Sequence, residues 1–171
     1  NFGRLVIDGA EVDMPLEVVE HFRCIRKISG LGSDIRVTIF DPLFQDRQAH
    51  QRAVLALLPA FSHERCIVFL DPDTGLEPGR PTLEHVLESE VAETWDAMKP
   101  GDVFAFYQHQ TNRNGQPWIE PKQQQLAGAI GLECNDIKIG SGPSIARDVV
   151  FFYAQKAEQG GQPDASGAGY L

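Results

Sequence analysis

Short apolar runs alternate along the chain with longer stretches in which apolar residues recur every three or four positions. The runs predict strands and the stretches predict amphipathic helices. Residues 4–7 (RLVI) form a first strand closed by Asp8-Gly9. Residues 16–28 put Val18, Val19, Phe22, Ile25 and Ile28 on one helical face, with Pro15 in the first turn and Gly30 and Gly32 as stops. Residues 35–40 (IRVTIF) are β-branched and strand-like, ending at Asp41-Pro42. A second helix spans 45–58, with Ala49, Ala53, Val54, Leu57 and Leu58 inward and Pro59 ending it. Residues 66–70 (CIVFL) are apolar at every position, which predicts a strand covered on both faces of a parallel sheet. The spacing of Leu83, Val86, Leu87, Val91, Trp95 and Met98 predicts a helix over 82–98, with Lys99 and Gly101 closing it. Residues 103–107 (VFAFY) predict another buried strand and 121–130 a polar helix. Residues 137–139 and 149–154 predict a final strand pair joined through 140–146.

This alternation predicts an α/β fold, a three-layer Rossmann-like sheet that is mostly parallel, with an antiparallel C-terminal strand pair at one edge. The expected domain covers residues 1–156, with an N-terminal strand missing before Asn1. Residues 157–171 are read as a disordered tail, because 159–169 are rich in Gly, Gln, Pro, Ala and Ser and lack apolar periodicity.

Charge narrows the partners. Fifteen Lys and Arg against 24 Asp and Glu leave a net charge of −9 over 171 residues, which excludes a broad basic face for nucleic acid. No apolar run reaches the roughly 20 residues that cross a bilayer, so no membrane is expected. Three scattered cysteines (Cys24, Cys66, Cys134) read as reduced thiols of a cytoplasmic protein. Neither the oligomeric state nor the substrate, small molecule or nucleic acid, follows from the composition.

Ligands of open parallel sheets sit beyond the carboxyl ends of the strands. That rule selects Asp8 and Glu11, Asp41, the run from Asp71 to Gly75, and residues 107–110 (YQHQ). Asp71-Pro72-Asp73-Thr74-Gly75-Leu76-Glu77 is the sharpest motif. Two carboxylates two residues apart hold a divalent cation, a ribose or an amine, or act as acid and base. The same residues also serve a plain turn, with Asp71 capping backbone amides. His109 is a general base, a metal ligand or a structural histidine. Loop 112–118, with Arg113 and Trp118, is either a lid or a surface loop with Trp118 tucked against the next helix. Glu84, Glu88, Glu90 and Glu93 read as a solvated helix face. The chain has no zinc-type Cys/His cluster, no phosphate-binding P-loop and no nucleophile elbow around Ser141.

The order strand, helix, IRVTIFD, helix, IVFLDPD, helix, VFAFYQH, helix, IKI, VVFFYA resembles the latter part of a class I S-adenosylmethionine-dependent methyltransferase over residues 4–156. In that family the fourth strand ends in an Asp/Asn-Pro-Pro-aromatic motif and the sheet closes with an antiparallel pair. The rhythm is nearest to the ribosomal-RNA adenine-N6 type. The resemblance implies that Asp71 and the Pro72 carbonyl accept hydrogen bonds from a target amine. It further implies that Asp8 or Glu11 holds the cofactor ribose and that Asp41 lies near the adenine. Two features depart from the family: no glycine-rich loop precedes the first strand, and Asp73-Thr74 replaces the Pro-aromatic pair that would stack on a base. The Asp-Pro-Asp-Thr-Gly-Leu-Glu run with its Tyr-Gln-His strand is also similar to a set of bacterial and phage proteins without an assigned activity. The Asp71-x-Asp73 pair resembles the magnesium-binding arm of Toprim nucleases and primases, where Asp8 would complete the site.

Three functions are therefore expected in order. The first is a methyltransferase acting on an amine of a nucleic acid or small molecule, with Asp71, Pro72, Asp73 and His109 as site residues and Asp8, Glu11 and Asp41 holding S-adenosylmethionine. The second is a Mg-dependent phosphoryl-transfer enzyme, a nuclease or hydrolase, using Asp71 and Asp73, with Glu77 or His109. The third is a catalytically silent interaction domain.

Overall fold

A computed structural model describes residues 4–7, 10–13, 36–40, 42, 44–110, 112, 115–142 and 146–157. The chain divides into two compact units, Asn1–Leu43 and Phe44–Leu171.

In the first unit, β1 (Arg4–Ile7) pairs antiparallel with β2 (Ala10–Asp13), Val6 opposite Glu11. The expected first strand is thus present, but it turns back into a hairpin. Residues 36–40 take neither strand nor helix conformation, against the strand expected there. β-Branched composition marks a segment that suits a sheet but does not by itself fix its conformation. The helix expected over 16–28, together with Asp8, Asp41 and the tail from residue 158, lies outside the described residues.

The second unit is a mixed α/β structure. Helix α1 (Arg47–Leu57) is capped by Asp46, whose carboxylate accepts the Ala49 amide at 2.7 Å, and runs into a 3-10 turn over Leu58–Phe61. Then follow β3 (Ile67–Leu70), the two-residue parallel pair β4 (Gly75–Leu76) and β5 (His85–Val86), helix α2 (Glu88–Ala97) and β6 (Val103–His109). Helix α3 (Ile119–Ile130), β7 (Lys138–Gly142) and β8 (Ala146–Gln155) complete it.

The main sheet has the order β3-β6-β8-β7. β3 and β6 are parallel, whereas β6–β8 and β7–β8 are antiparallel. The closing antiparallel pair is as expected. The expectation of a mostly parallel sheet is corrected: two of these three pairings are antiparallel, because β8 returns from the β7 hairpin into the place beside β6.

One face of this sheet is the core. Phe104 and Phe106 of β6 and Val150, Phe152 and Ala154 of β8 pack with Val91, Trp95 and Met98 from α2 and its end, and with Leu126, Ala127 and Ile130 of α3. The Trp95 ring meets Phe104 edge-on, with centroids 6.3 Å apart. Gly131, at φ 69°, lets α3 stop in a left-handed turn. Lys156 ends α2 from outside, its ammonium donating to the carbonyls of Trp95, Asp96 and Met98 at 2.7, 3.0 and 2.8 Å.

The opposite face is open. Ile67 is 70% exposed and Phe69 48%, so among the described residues β3 is an edge strand covered on one face, not on both. An all-apolar run carries no alternation from which to tell the two cases apart. Helix α2 also begins later than expected. Leu83 is 63% exposed, and residues 82–87 form a turn and β5. The helix starts where Glu90 reaches back to accept the Leu87 amide at 2.8 Å. That glutamate is buried and paired with Arg47 at 2.6 Å, so it does not belong to the solvated face expected of the helix acids. In α1, Ala49 and Ala53 are exposed and Val54, Leu57 and Leu58 only half-buried. No described helix is long and apolar enough to cross a membrane.

Candidate functional site

The alternation of β6 builds the site from both sides of one strand. Phe104, Phe106 and Gln108 point into the core, while Ala105, Tyr107 and His109 face the open side. Tyr107 stands opposite Phe151, and Leu70 opposite Phe106. One residue further along, Asp71 continues the open-face row of Ile67 and Phe69 and comes beside Tyr107. The result is a shallow cleft of about 450 Å3 lined by Phe69, Asp71, Pro72, Asp73, Tyr107, His109 and Phe151. All four residues expected as the catalytic set, Asp71, Pro72, Asp73 and His109, line it together.

The loop carrying the two aspartates is held from beneath. Gln108, fully buried, accepts the Leu76 amide at 2.9 Å and donates to the carbonyls of Thr74 at 3.3 Å and His109 at 2.7 Å. The Thr74 hydroxyl donates to the Glu84 carbonyl at 2.8 Å. Lys122 reaches from α3 to the carbonyls of Leu76 and Glu77 at 2.9 and 3.0 Å, and to Gln125 at 2.8 Å. Glu77 is not free to act in the cleft, because its carboxylate accepts the Glu88 amide at 2.7 Å. A second cleft, about 480 Å3, lies around Glu77, Glu88, Lys122 and Gln125. Lys122 has three N–H groups and three acceptors, so this cleft anchors the loop.

Electrostatics single out Asp71. Burial raises its carboxyl above the ordinary value of 3.8, the neighbouring Asp73 raises it further, and His109 opposes both. Among the described residues neither Asp71 nor Asp73 has a hydrogen-bond or ion-pair partner. The Tyr107 phenol is held up by burial and then by Asp71 and Asp148, which keeps it protonated. The His109 ring meets Tyr107 edge-on with centroids 4.9 Å apart. No group of three or more His, Cys, Asp or Glu side chains among the described residues gathers to hold a metal ion.

Of the expected cofactor residues, Asp8 and Asp41 lie outside the described residues. Glu11 has a described backbone, within β2. Trp118 is half-buried and packs on the core, as an anchor of α3 would, while Arg113 is outside the described residues. His85 lies in β5, not in a helix, and its Nδ1 engages Thr82. Phe69 and Phe151 are site residues outside the strand-end selection, whereas Tyr107, which heads the selected YQHQ run, lines the cleft with them. The signal was the period of two: once β6 is known to put Gln108 inward, Tyr107 must face out.

Comparison of the chain with family models, with curated proteins and with solved structures finds no match. The site must be read from its own chemistry.

Proposed function

We propose that the chain is a Rossmann-like, S-adenosylmethionine-dependent methyltransferase-type protein acting on an amine of a small molecule or nucleic acid. The observation that carries this reading is the open-face cleft at the carboxyl end of the parallel pair β3–β6, entered by Asp71-Pro72 with two carboxylates that have no partner among the described residues. The antiparallel pair beside β6 agrees with the closing strands that the resemblance implies. The described residues fit the amine side of such a site. An unpaired aspartate accepts an N–H hydrogen bond, and a carboxyl raised by burial is a better proton acceptor than an ordinary one. S-adenosylmethionine, when bound, would supply an electrophilic methyl group to that amine. Asp71 orients the amine and its Oδ takes the proton that the nitrogen sheds; Tyr107, kept neutral, is available as a donor.

The test is a thermal-shift titration with S-adenosylmethionine and, separately, Mg2+. A ligand at one hundred times its Kd stabilises by about 2.7 kcal/mol, a shift of several degrees. Stabilisation by S-adenosylmethionine accompanied by methylation of an amine, the latter lost in Asp71→Ala, is the expected result. Stabilisation by Mg2+ alone, lost in Asp73→Ala, would overturn it in favour of phosphoryl transfer. Silence toward both would leave an interaction domain.

A further inference from the structure

Beside the two carboxylates the cleft presents three aromatic rings, Phe69, Tyr107 and Phe151. The Phe151 ring contacts both of the others. Its centroid is 5.3 Å from that of Tyr107, at 65°, and 6.0 Å from that of Phe69, at 41°. Phe69 and Phe151 remain 48% and 42% exposed. Three strands contribute one ring each, so the rigid sheet, not a loop, sets their spacing.

Aromatic rings carry negative π faces, and the neighbouring Asp71 and Asp73 add two carboxylates without a partner among the described residues. Among the described residues no Lys or Arg lines the cleft. An apolar ligand would satisfy the rings and leave the carboxylates uncompensated, while a small metal ion would satisfy the carboxylates and ignore the rings. A cation with a greasy surface satisfies both. We infer that the dish formed by Phe69, Tyr107 and Phe151, with Asp71 and Asp73 at its rim, binds an organic cation of the alkylated ammonium class. The net charge of −9 favours the approach of such a ligand. This inference does not rest on methyl transfer: the binding chemistry is the same whatever the site does next.

The experiment is an NMR titration of the full chain with tetramethylammonium and with choline, against 3,3-dimethylbutan-1-ol, the uncharged isostere of choline, and NaCl at matched ionic strength. Saturable shifts at Phe69, Asp71, Tyr107 and Phe151 are expected with both cations. The isostere should bind about tenfold more weakly, and NaCl should leave these signals in place. Phe151→Leu and Phe69→Leu keep an apolar side chain at half-exposed positions, so the fold is retained while the π face is lost; each should weaken the cation severalfold and leave the isostere unchanged. The double variant Asp71→Asn, Asp73→Asn should do likewise. Equal affinity for cation and isostere, saturable shifts confined to other parts of the chain, or no saturable shift at all would each overturn the inference. None of these probes is S-adenosylmethionine, so failure here is separate from failure of the methyltransferase reading.

Discussion

Gly75 lies against the amide of Gln108 so closely that a Cβ on the glycine would come within 2.2 Å of Nε2. Its φ of 110° is a conformation that side-chain-bearing residues rarely adopt. The motif's glycine is therefore explained by the clamp beneath it. Gly75→Ala is expected to cost about 3 kcal/mol or more, from backbone strain and overpacking together. Gln108→Ala strands the Leu76 amide and costs about 2–3 kcal/mol. Urea denaturation of both and of the double variant should show coupling, because removing the amide relieves the clash while the strain at φ remains. Simple additivity would mean that the two residues do not press on each other.

Lys122 is a buried cation whose ammonium donates to two carbonyls of the loop, Leu76 and Glu77, and to Gln125 on its own helix. Burial lowers its pKa, and Glu88 and Glu77 oppose that shift. Lys122→Met keeps the apolar stem but leaves the Leu76 and Glu77 carbonyls without this donor. A loss of about 2–4 kcal/mol is expected, read as a lower urea midpoint with an unchanged slope.

Asp71 carries a stability cost that depends on pH. Its folded pKa lies above 3.8, so between that value and the raised one the native state holds more protons than the unfolded chain, and stability falls as pH rises through this window. Asp71→Asn removes the cost. The variant should melt slightly higher than the parent at pH 7, and the difference should vanish near pH 3. A variant less stable at neutral pH would show that the carboxylate has a favourable partner instead.

Asp102, nearly fully buried, ties the start of β3 to the start of β6. Its Oδ1 accepts the Cys66 amide at 2.9 Å and the Lys99 ammonium at 2.6 Å, and its Oδ2 accepts the Lys99 amide at 3.3 Å. Asp102→Ala should cost about 2–3 kcal/mol. Hydrogen exchange at Cys66 should quicken more than at Phe152, which sits in the core of β8.

Legibility in the sequence followed the information each segment holds. Helix α3 and the closing strand pair were readable because Leu126, Ala127 and Ile130 keep helical spacing and Val149–Ala154 is bounded by turn residues. The stretch 82–87 imitated a helix because Leu83, Val86 and Leu87 also fit that spacing. The rule that it breaks is tertiary: Arg47 binds the Thr82 and His85 carbonyls at 2.9 and 3.0 Å and holds the segment extended. Asp71, Asp73 and His109 were found because strand ends gather polar residues. Phe69 and Phe151 were hidden because in an apolar run nothing marks which rings reach solvent. Gln108 was visible as a polar residue near a strand end, but its inward direction depends on register, which no local pattern states.

That register makes β6 intolerant of a change in length. Odd positions serve the cleft and even positions serve the core, so the insertion of a single residue between Ala105 and Phe106 would send the Gln108 amide out to water and drive Tyr107 and His109 into the hydrophobic interior. Substitutions along the strand can be absorbed one at a time, but an insertion exchanges the two sets at once. The strand can therefore vary in composition but not in count, and diversification of this site must come through point changes in β6 or through the segment beyond His109.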